Sequence, residues 1–223
     1  MVEMKALIVE ISFFEAFFKV HYTKGFRLTY PIPLPTTVAG IFGGIFGVER
    51  GKLKEEFDEM LFGAKLIKYD NIIQENATYL QYKSGGTKIE KGVTPFLIIN
   101  EPTYLITIAG ANGKINEIFK KIRNLSYLPY GGQNDFFVKD WKIVGIFDVT
   151  KDDEITNYVP QDLVNNPILE KGSEIQILPV RHKISENPNF YFVINGGLKL
   201  KERIFCTMNE KIGLYSLDKF QVM

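Results

Sequence analysis

The chain is predicted to form an α+β fold in which an antiparallel sheet carries two helices on one face. The apolar patterns of the first 150 residues follow the order strand, helix, strand, strand, helix, strand. With 223 residues, 45% of them hydrophobic, the chain is also long enough to bury a sizeable core. This order of elements is typical of the split βαβ, or ferredoxin-like, arrangement that RNA-recognition (RRM-like) modules also adopt.

Hydrophobic periodicity assigns the individual elements of this first part. Apolar, β-branched runs predict strands over 4–14, 65–69, 96–99, 103–109 and 136–147. Helical spacing predicts a glycine-rich helix that ends before Gly51, and further helices over 53–62 and 113–125. The tract Ser84-Gly85-Gly86-Thr87 predicts the turn of a hairpin that covers 77–91.

The composition changes after Val149. A charged linker, Lys151-Asp152-Asp153-Glu154, precedes runs that predict short strands over 175–180, 190–194, 198–207 and 212–217. Turn signals separate these runs at Asn187-Pro188, Gly196-Gly197 and Asn209-Glu210. We therefore expect two parts, a ferredoxin-like domain over 1–150 with an inserted hairpin and a small β-rich domain over 151–223.

The overall composition excludes several classes of protein. A net charge of +1 gives no whole-chain argument for nucleic acid, so any such argument depends on local patches. Cys206 is the only cysteine, which excludes an intrachain disulfide and favours a reducing compartment. Lys5 and Glu10 interrupt the first apolar run, and the longest apolar stretch is too short to span a bilayer. We expect a cytoplasmic protein with no membrane partner.

The most informative stretch runs over 26–48. Three prolines at alternate positions impose an extended entry, after which Thr36 or Thr37 can cap the start of a helix. At helical spacing, four glycines share one side of that helix, namely Gly40, Gly43, Gly44 and Gly47. Each interior glycine costs roughly 1 kcal/mol relative to alanine, so the bare surface indicates a close approach by another group.

The charges around the glycine-rich helix indicate what that group is. No Asp or Glu occurs over 16–48, whereas four basic side chains do, namely Lys19, His21, Lys24 and Arg27. This imbalance predicts that an anion lies along the helix. Tight packing against a neighbouring element is the alternative explanation for the glycines.

The predicted hairpin and a later loop offer two further binding elements. Lys83, Lys88 and Lys91 accompany Tyr79 and Tyr82 near the hairpin tip, and basic residues among aromatics suit a nucleic-acid strand. The alternative is a solvated hairpin whose lysines discourage edge-to-edge pairing. In the later loop, Tyr130-Gly131-Gly132-Gln133 precedes a strand, and its backbone amides could hold phosphate oxygens or form an ordinary turn.

The sequence lacks the residues of most catalytic sites. Two histidines and one cysteine without ligand spacing predict no metal site, and no nucleotide-binding loop or other cofactor motif is present. Metal-free RNA cleavage remains open, since histidine, tyrosine and lysine can supply its acid, base and cation. The candidates are His21, Tyr22 and Lys24, or the cluster Arg181-His182-Lys183. The alternative is that these histidines help to bind a phosphate or lie on the surface.

Two of these segments resemble a known family. The segment R-L-T-Y-P-I-P-L-P-T-T-V-A-G-I-F-G-G-I-F-G, over 27–47, is similar to the N-terminal hallmark of the fifth CRISPR-associated (Cas) protein family. The segment Y-G-G-Q-N-D-F, over 130–136, resembles the family's glycine loop before a strand. The family often has a basic residue where Gln133 stands, so direct phosphate pairing by that side chain is not implied.

The resemblance implies a function in antiviral defence. Family members belong to the RAMP superfamily and are subunits of type I Cascade, where they cap the 5′ handle of the CRISPR RNA (crRNA) and contact the backbone subunit. The implied partners are therefore crRNA, the backbone subunit and the large or small subunit, with target DNA as a further candidate. Most members are not nucleases, but one branch cleaves the precursor RNA with tyrosine, lysine and histidine, and that activity is the alternative.

On this basis we expect a non-catalytic, RNA-binding subunit. Lys19, Lys24 and Arg27 are expected to contact handle phosphates, with Thr36 and Thr37 donating hydrogen bonds at the helix start. The glycines of the helix would let RNA or a neighbouring protein approach. The full set of expected RNA-binding residues is Lys19, His21, Lys24, Arg27, Thr36, Thr37, Gly40, Gly43, Gly44, Lys83, Lys88, Tyr130, Gly131, Gly132 and Gln133.

Overall fold

The computed structural model describes residues 3–23, 25–82, 89–133 and 135–220, and the side chains of Gln81 and Tyr82 are not described. Lys24, Lys83 and Lys88, which the sequence proposes as RNA contacts, lie outside the described residues. Within those ranges, no helix is long and apolar enough to cross a membrane.

The described chain is mostly antiparallel β-structure with few helices, which confirms the predicted α+β class. The helices are α1 (Pro35–Phe46), α2 (Leu53–Glu56) and α3 (Asn112–Lys121). The strands are β1 (Met4–Phe13), β2 (Glu15–Ala16), β3 (Leu61–Lys68), β4 (Asn71–Tyr82), β5 (Ile89–Asn100), β6 (Thr103–Ala111), β7 (Val138–Ile155), β8 (Tyr158–Pro160), β9 (Val164–Pro179), β10 (Asn189–Thr207) and β11 (Tyr215–Ser216).

The main sheet has β1 at its centre. Its strand order is β11-β3-β6-β1-β7-β10-β8, with β9 on β10, and each of these strand pairs is antiparallel. Side chains alternate across a strand, so the two faces of β1 enter different layers. Leu7 and Val9 face α1 and α3 in the main core, whereas Ile8 lies on the opposite face with Ile212. The central strand is therefore buried on both faces.

The two longer helices cover one face of the sheet through apolar stripes at helical spacing. From α1, Val38, Phe42 and Ile45 are fully buried in the main core. From α3, Ile115 joins the same core. Burial of such side chains contributes about 1.5–3 kcal/mol each relative to exposure, so packing rather than helix propensity holds the glycine-rich helix in place.

Strand β7 connects the two predicted parts of the chain. Its first half pairs with β1, and from Val149 onward it pairs with β10. The predicted boundary at residue 150 falls inside this strand. The main core is also shared, since the rings of Tyr30 and Phe192 stack with centroids 5.5 Å apart. The division at residue 150 remains a prediction.

The predicted hairpin is present and is longer than expected. Strands β4 and β5 pair continuously from Asn71–Asn100 to Tyr82–Ile89, and with β2 they form a second, three-stranded sheet. Near its outer end the Tyr79 ring packs over Gly92, where a β-carbon would overlap the ring.

Three sequence predictions are wrong in detail. The helix predicted over 53–62 ends at Glu56, because Glu59 adopts a φ of 59° and β3 begins at Leu61. Gly196-Gly197 does not form a turn, because β10 continues through it with a bulge after Ile194. The last predicted strand, over 212–217, is reduced to β11, and the other short strands merge into β9 and β10.

Candidate nucleic-acid interface

The proline-rich segment over 31–35 is buried rather than exposed. Proline has no backbone N–H, so an extended, proline-rich backbone can enter the core with few donors to satisfy. Its carbonyl groups accept hydrogen bonds from buried tyrosines: Tyr104 donates to Pro31 O at 3.1 Å, and Tyr158 donates to Pro33 O at 3.3 Å. Two strands of the main sheet, β6 and β8, therefore hold this segment in place, and with it the start of α1.

The threonines do not cap α1, which corrects the sequence prediction. The N-cap residue is Leu34, and no side chain makes a cap hydrogen bond. Pro35 occupies the first helical turn, where its fixed φ suits a helix start, so the helix begins before the threonines. Thr36 and Thr37 lie half-buried within that first turn.

The four glycines of α1 have three different environments. Gly43 is buried, and a β-carbon there would overlap Leu53 Cδ2. Gly47 ends the helix with a φ of 72°, and the amide of Val48 donates to Gly43 O at 2.8 Å. Only Gly40 and Gly44 have open space where a β-carbon would point. The single glycine surface expected from the sequence is therefore reduced to these two residues.

Lys19 and Arg27 lie on a short hairpin whose described arms are residues 18–23 and 25–30. Val20 N donates to Leu28 O at 2.9 Å, and Tyr30 N donates to Phe18 O at 2.7 Å. Lys19 is exposed in the middle of this pairing, opposite Thr29. Arg27 is fixed by its backbone, whose N–H donates to Pro95 O at 2.9 Å on β5. The second arm of the hairpin is therefore held against β5 of the three-stranded sheet.

The tip of this hairpin meets the segment that follows β9. The guanidinium of Arg181 lies over the ring of Tyr22, 5.1 Å from its centroid. Next to it, Tyr30 donates its hydroxyl to Pro179 O at 2.7 Å, and the rings of His21 and Tyr30 are 6.4 Å apart. Tyr22 remains 49% exposed, so one part of its surface is open to a ligand.

This cluster has an excess of positive charge. Burial lowers the pKa of His21, and the charges of Arg181 and Lys19 lower it further. The imidazole is therefore neutral near pH 7, and its Nδ1 is buried without a hydrogen-bond partner among the described residues. Within the same ranges, no carboxylate forms an ion pair with Lys19, Arg27 or Arg181. Such a cluster can attract and hold an anion.

The structure separates the residues of the second sequence cluster. Arg181 joins His21 and Tyr22, whereas His182 is held by its own neighbours: its Nε2 lies 2.8 Å from Asn187 O and its Nδ1 accepts from Ile184 N at 3.1 Å. Burial lowers the pKa of His182, and its ring packs edge-on against a core phenylalanine. The sequence predicted Arg181 only as a catalytic alternative, and the only local signal was that both clusters combine a histidine with cations.

The glycine loop over 130–133 uses its amides internally. Gly131 N donates to Phe136 O at 2.7 Å, and Gly132 N donates to Tyr130 O at 3.0 Å. A β-carbon at Gly132, whose φ is 96°, would overlap the carbonyl oxygen of Phe17. In this conformation both amides are used within the loop, and the glycines allow the loop to pack closely against residues 15–17. Contact of these glycines with RNA stays a prediction. The side chains of Tyr130 and Gln133 are exposed.

In the part of the chain that the structure describes, no three His, Cys, Asp or Glu side chains are grouped so that they could hold a metal ion. Burial raises the pKa of the Tyr30 hydroxyl, so this tyrosine stays protonated beside His21.

Comparisons with known proteins give fold-level information. No family model matches the chain, and no curated protein does. A chain from a CRISPR RNA-guided surveillance complex matches with a TM-score of 0.54 and 14% identity, over 88% of this chain and 91% of that chain. A Cas protein matches with a TM-score of 0.43 and 10% identity, over 88% and 95% of the two chains. A chain from a Type III-B Cmr-beta complex bound to cognate target RNA matches with a TM-score of 0.38 and 10% identity, over 87% of this chain and 86% of that chain. The first match shows a shared fold.

Proposed function

We propose that this chain is a non-catalytic crRNA-binding subunit of a CRISPR effector complex. More specifically, it would bind the 5′ handle of the guide RNA in type I Cascade and contact the backbone subunit, as a RAMP-superfamily member of the fifth Cas family. The proposal is supported by the fold shared with a chain of a CRISPR RNA-guided surveillance complex and by the motif resemblance over 27–47.

One observation carries the RNA-binding part of the proposal. Lys19, His21 and Arg181 come together at an exposed tyrosine with no neutralising carboxylate among the described residues. Phosphate oxygens would supply the missing negative charge, and guanidinium groups bind phosphate bidentately. The open part of the Tyr22 ring could stack on a nucleobase, which is how proteins commonly bind single-stranded RNA.

Other predicted contacts extend this site. Arg27 lies on the same hairpin, and Lys24, which is outside the described residues, is also proposed as a contact. Thr36 and Thr37, at the first turn of α1, would donate hydroxyl hydrogen bonds to the same RNA strand. The open positions on α1, at Gly40 and Gly44, would admit RNA or a neighbouring subunit. Tyr130 and Gln133 remain proposed contacts in the glycine loop, and so do Lys83 and Lys88, which lie outside the described residues.

The proposal also includes the fold of the two parts of the chain. The strand order β3-β6-β1-β7, with α1 and α3 on one face, supports a ferredoxin-like unit within residues 1–150. Residues 151–223 would then form a β-rich extension that supplies Arg181 to the site.

The second candidate function is metal-independent cleavage of precursor RNA. It is favoured by the imidazole of His21, which is neutral near pH 7 and could act as a general base towards a 2′-hydroxyl group. Tyr22 and Lys24 would be its partners in that reaction.

A single set of assays separates these functions. The purified chain is mixed with RNA that carries the repeat-derived 5′ handle, or with a scrambled RNA of the same composition, in a filter-binding assay at moderate salt. We expect tighter binding to the handle and no cleavage in the presence of a chelator. Equal affinity for both RNAs would contradict handle recognition. A 2′,3′-cyclic phosphate product that disappears in His21→Ala would favour the nuclease.

A further inference from the structure

We propose that an exposed row of three aromatic side chains, Phe14, Phe137 and Tyr130, is a docking surface for a protein segment that carries arginine or lysine. This aromatic row is separate from the basic cluster around His21, and the inference goes beyond the RNA binding proposed there. Tyr130, which is proposed above as an RNA contact, would instead be occupied by this protein partner.

Strand register places the three rings side by side. Phe13 pairs with Val138 across β1 and β7, so the next residues, Phe14 and Phe137, oppose each other, and Phe14 N donates to Phe137 O at 3.3 Å. Tyr130 in turn faces Phe137 in an antiparallel bridge. Directly opposed residues on antiparallel strands project to the same side. The three side chains therefore form one continuous row.

The row is exposed although it is strongly apolar. Phe14, Tyr130 and Phe137 are 53%, 45% and 60% exposed. Single exposed apolar residues are ordinary, but adjacent ones on a fixed backbone indicate a binding surface. The backbone here is fixed, because Phe14 O accepts a hydrogen bond from Glu101 N at 2.9 Å and Val138 N donates to Pro129 O at 3.3 Å. Docking would therefore cost little conformational entropy, because the backbone of the row is already ordered.

The charges beside the row select the partner. Two lysines lie near it, but each is already paired: Lys139 with Glu101 and Lys142 with Glu10. Two further carboxylates, Asp135 and Asp140, are exposed and form no ion pair with any described residue. Asp140 is paired with Ser12, two residues before Phe14, so it projects to the same side as the row.

The surface therefore combines aromatic faces with a net negative rim. Phosphates of RNA would be repelled by this rim, whereas a guanidinium or ammonium group gains from both components. Cations within about 6 Å of a ring centroid are attracted to its face. Lys139 Nζ already lies 5.7 Å from the centroid of the Phe14 ring, so an incoming cation would bind at the rings of Phe137 and Tyr130. Arginine is also enriched at protein interfaces.

The test uses the full chain, uniformly labelled with ¹⁵N, and a capped pentapeptide, Arg-Gly-Arg-Gly-Arg, as the probe. We expect saturable chemical-shift changes at the amides of Phe14, Tyr130 and Phe137. The peptide with glutamine in place of arginine should bind at least threefold more weakly.

Two variants and a control distinguish the row from the rest of the surface. Phe137→Ser removes the central ring, and Asp140→Asn removes a rim charge without touching the rings; each should weaken peptide binding at least threefold. Phe205→Ser is the matched control, because Phe205 is also exposed and lies under the ammonium of Lys151 at 4.7 Å. It should leave the affinity unchanged.

Three outcomes would overturn the proposal. The first is the absence of saturable shifts at the row, and the second is equal binding of the glutamine peptide. The third is that octauridylate, tested in the same way, shifts the row amides more than the arginine peptide does, which would make the row a base-stacking surface.

Discussion

The guanidinium carbon of Arg181 lies 5.1 Å from the centroid of the Tyr22 ring, so the last third of the chain completes a site that begins near the N-terminus. The contact brings a permanent charge next to His21, whose pKa it helps to lower. The candidate site is built from two distant segments, so it is present only when both are folded.

Arg181→Gln should weaken binding of handle RNA while leaving the melting temperature nearly unchanged. The substitution removes one cation of the proposed phosphate site, at a half-buried position that is outside the main apolar core. The dependence of log affinity on log salt should become shallower by roughly one unit, because about one fewer counterion is released. Filter binding over a salt series measures both quantities.

The matched control is Arg123→Gln. The guanidinium of Arg123 also lies over an aromatic ring, that of Phe119, at 5.9 Å, but on the exposed surface beyond α3. Its loss should leave the salt dependence unchanged. If both variants lose the same affinity, the effect is one of net charge and the cluster around His21 is not the site.

The free energy of unfolding should decrease as the pH falls below about 6.5. Burial lowers the pKa of both His21 and His182 in the folded chain, whereas the unfolded chain keeps the ordinary value near 6.5. Below pH 6.5 the unfolded state therefore binds protons that the folded state does not, and this difference lowers the free energy of unfolding. Above that pH both histidines are neutral in either state, and the full stability is present. Urea unfolding between pH 5.5 and 7.5 gives the slope. His21→Gln should reduce the slope, and an unchanged slope would show that His21 is not responsible.

Alanine substitutions in α1 should differ in size according to the space around each glycine. Gly44→Ala should raise the free energy of unfolding by about 0.5–1 kcal/mol, since the new methyl group meets open space and alanine favours a helix. Gly43→Ala should give a smaller gain or none, because the methyl group overlaps Leu53 Cδ2 and that side chain must turn aside. Urea titration followed by circular dichroism compares them. Equal changes would indicate that the packing of α2 on α1 adapts freely.

Gly132→Ala should destabilise the fold by about 1–3 kcal/mol. Its φ of 96° is unfavourable for residues with a β-carbon, and that atom would overlap the carbonyl oxygen of Phe17. Gly113→Ala, in α3, is the control, because its β-carbon meets open space. A stable Gly132→Ala variant would mean that the loop can leave the strand beside it.

The thiol of Cys206 should react slowly with an aromatic disulfide reagent at pH 8 in the native chain. The residue is fully buried, and burial raises the pKa of its thiol to about 11, so little reactive thiolate is present. Addition of guanidinium chloride to the unfolding concentration should bring the rate close to that of free cysteine. A fast native reaction would indicate frequent opening of β10 from β7, where Cys206 pairs with Thr150.

Local patterns were sufficient to predict the elements that depend on local periodicity. Strand β1, helix α3 and the hairpin of β4 and β5 follow directly from apolar spacing and turn residues. Helix α2 was overestimated, because its charged, helix-favouring residues extend past the point where the chain turns into β3. The pair Gly196-Gly197 gave a turn signal, but pairing of β10 with β9 overrides it through a bulge.

The sequence predicted only the part of the candidate site that a local pattern encodes. The lack of carboxylates over 16–48 is visible in the sequence and identified Lys19 and His21. The approach of Arg181 depends on the long-range pairing of the strands that precede and follow it, which no local pattern encodes. For Gly131, the sequence indicates a tight loop, but only the fold shows that Phe136 O already accepts its amide hydrogen.

The central position of β1 has a consequence for synthesis of the protein in the cell. Ile11 pairs with Tyr104 on one side and with Trp141 on the other, so neither neighbouring strand exists when β1 leaves the ribosome. At about 5–20 residues per second, β1 waits about 5–20 seconds for its first partner. During that interval a strand destined for burial on both faces remains without pairing. The segment that is most protected in the finished molecule is therefore the one that a growing chain must shield from aggregation for the longest time.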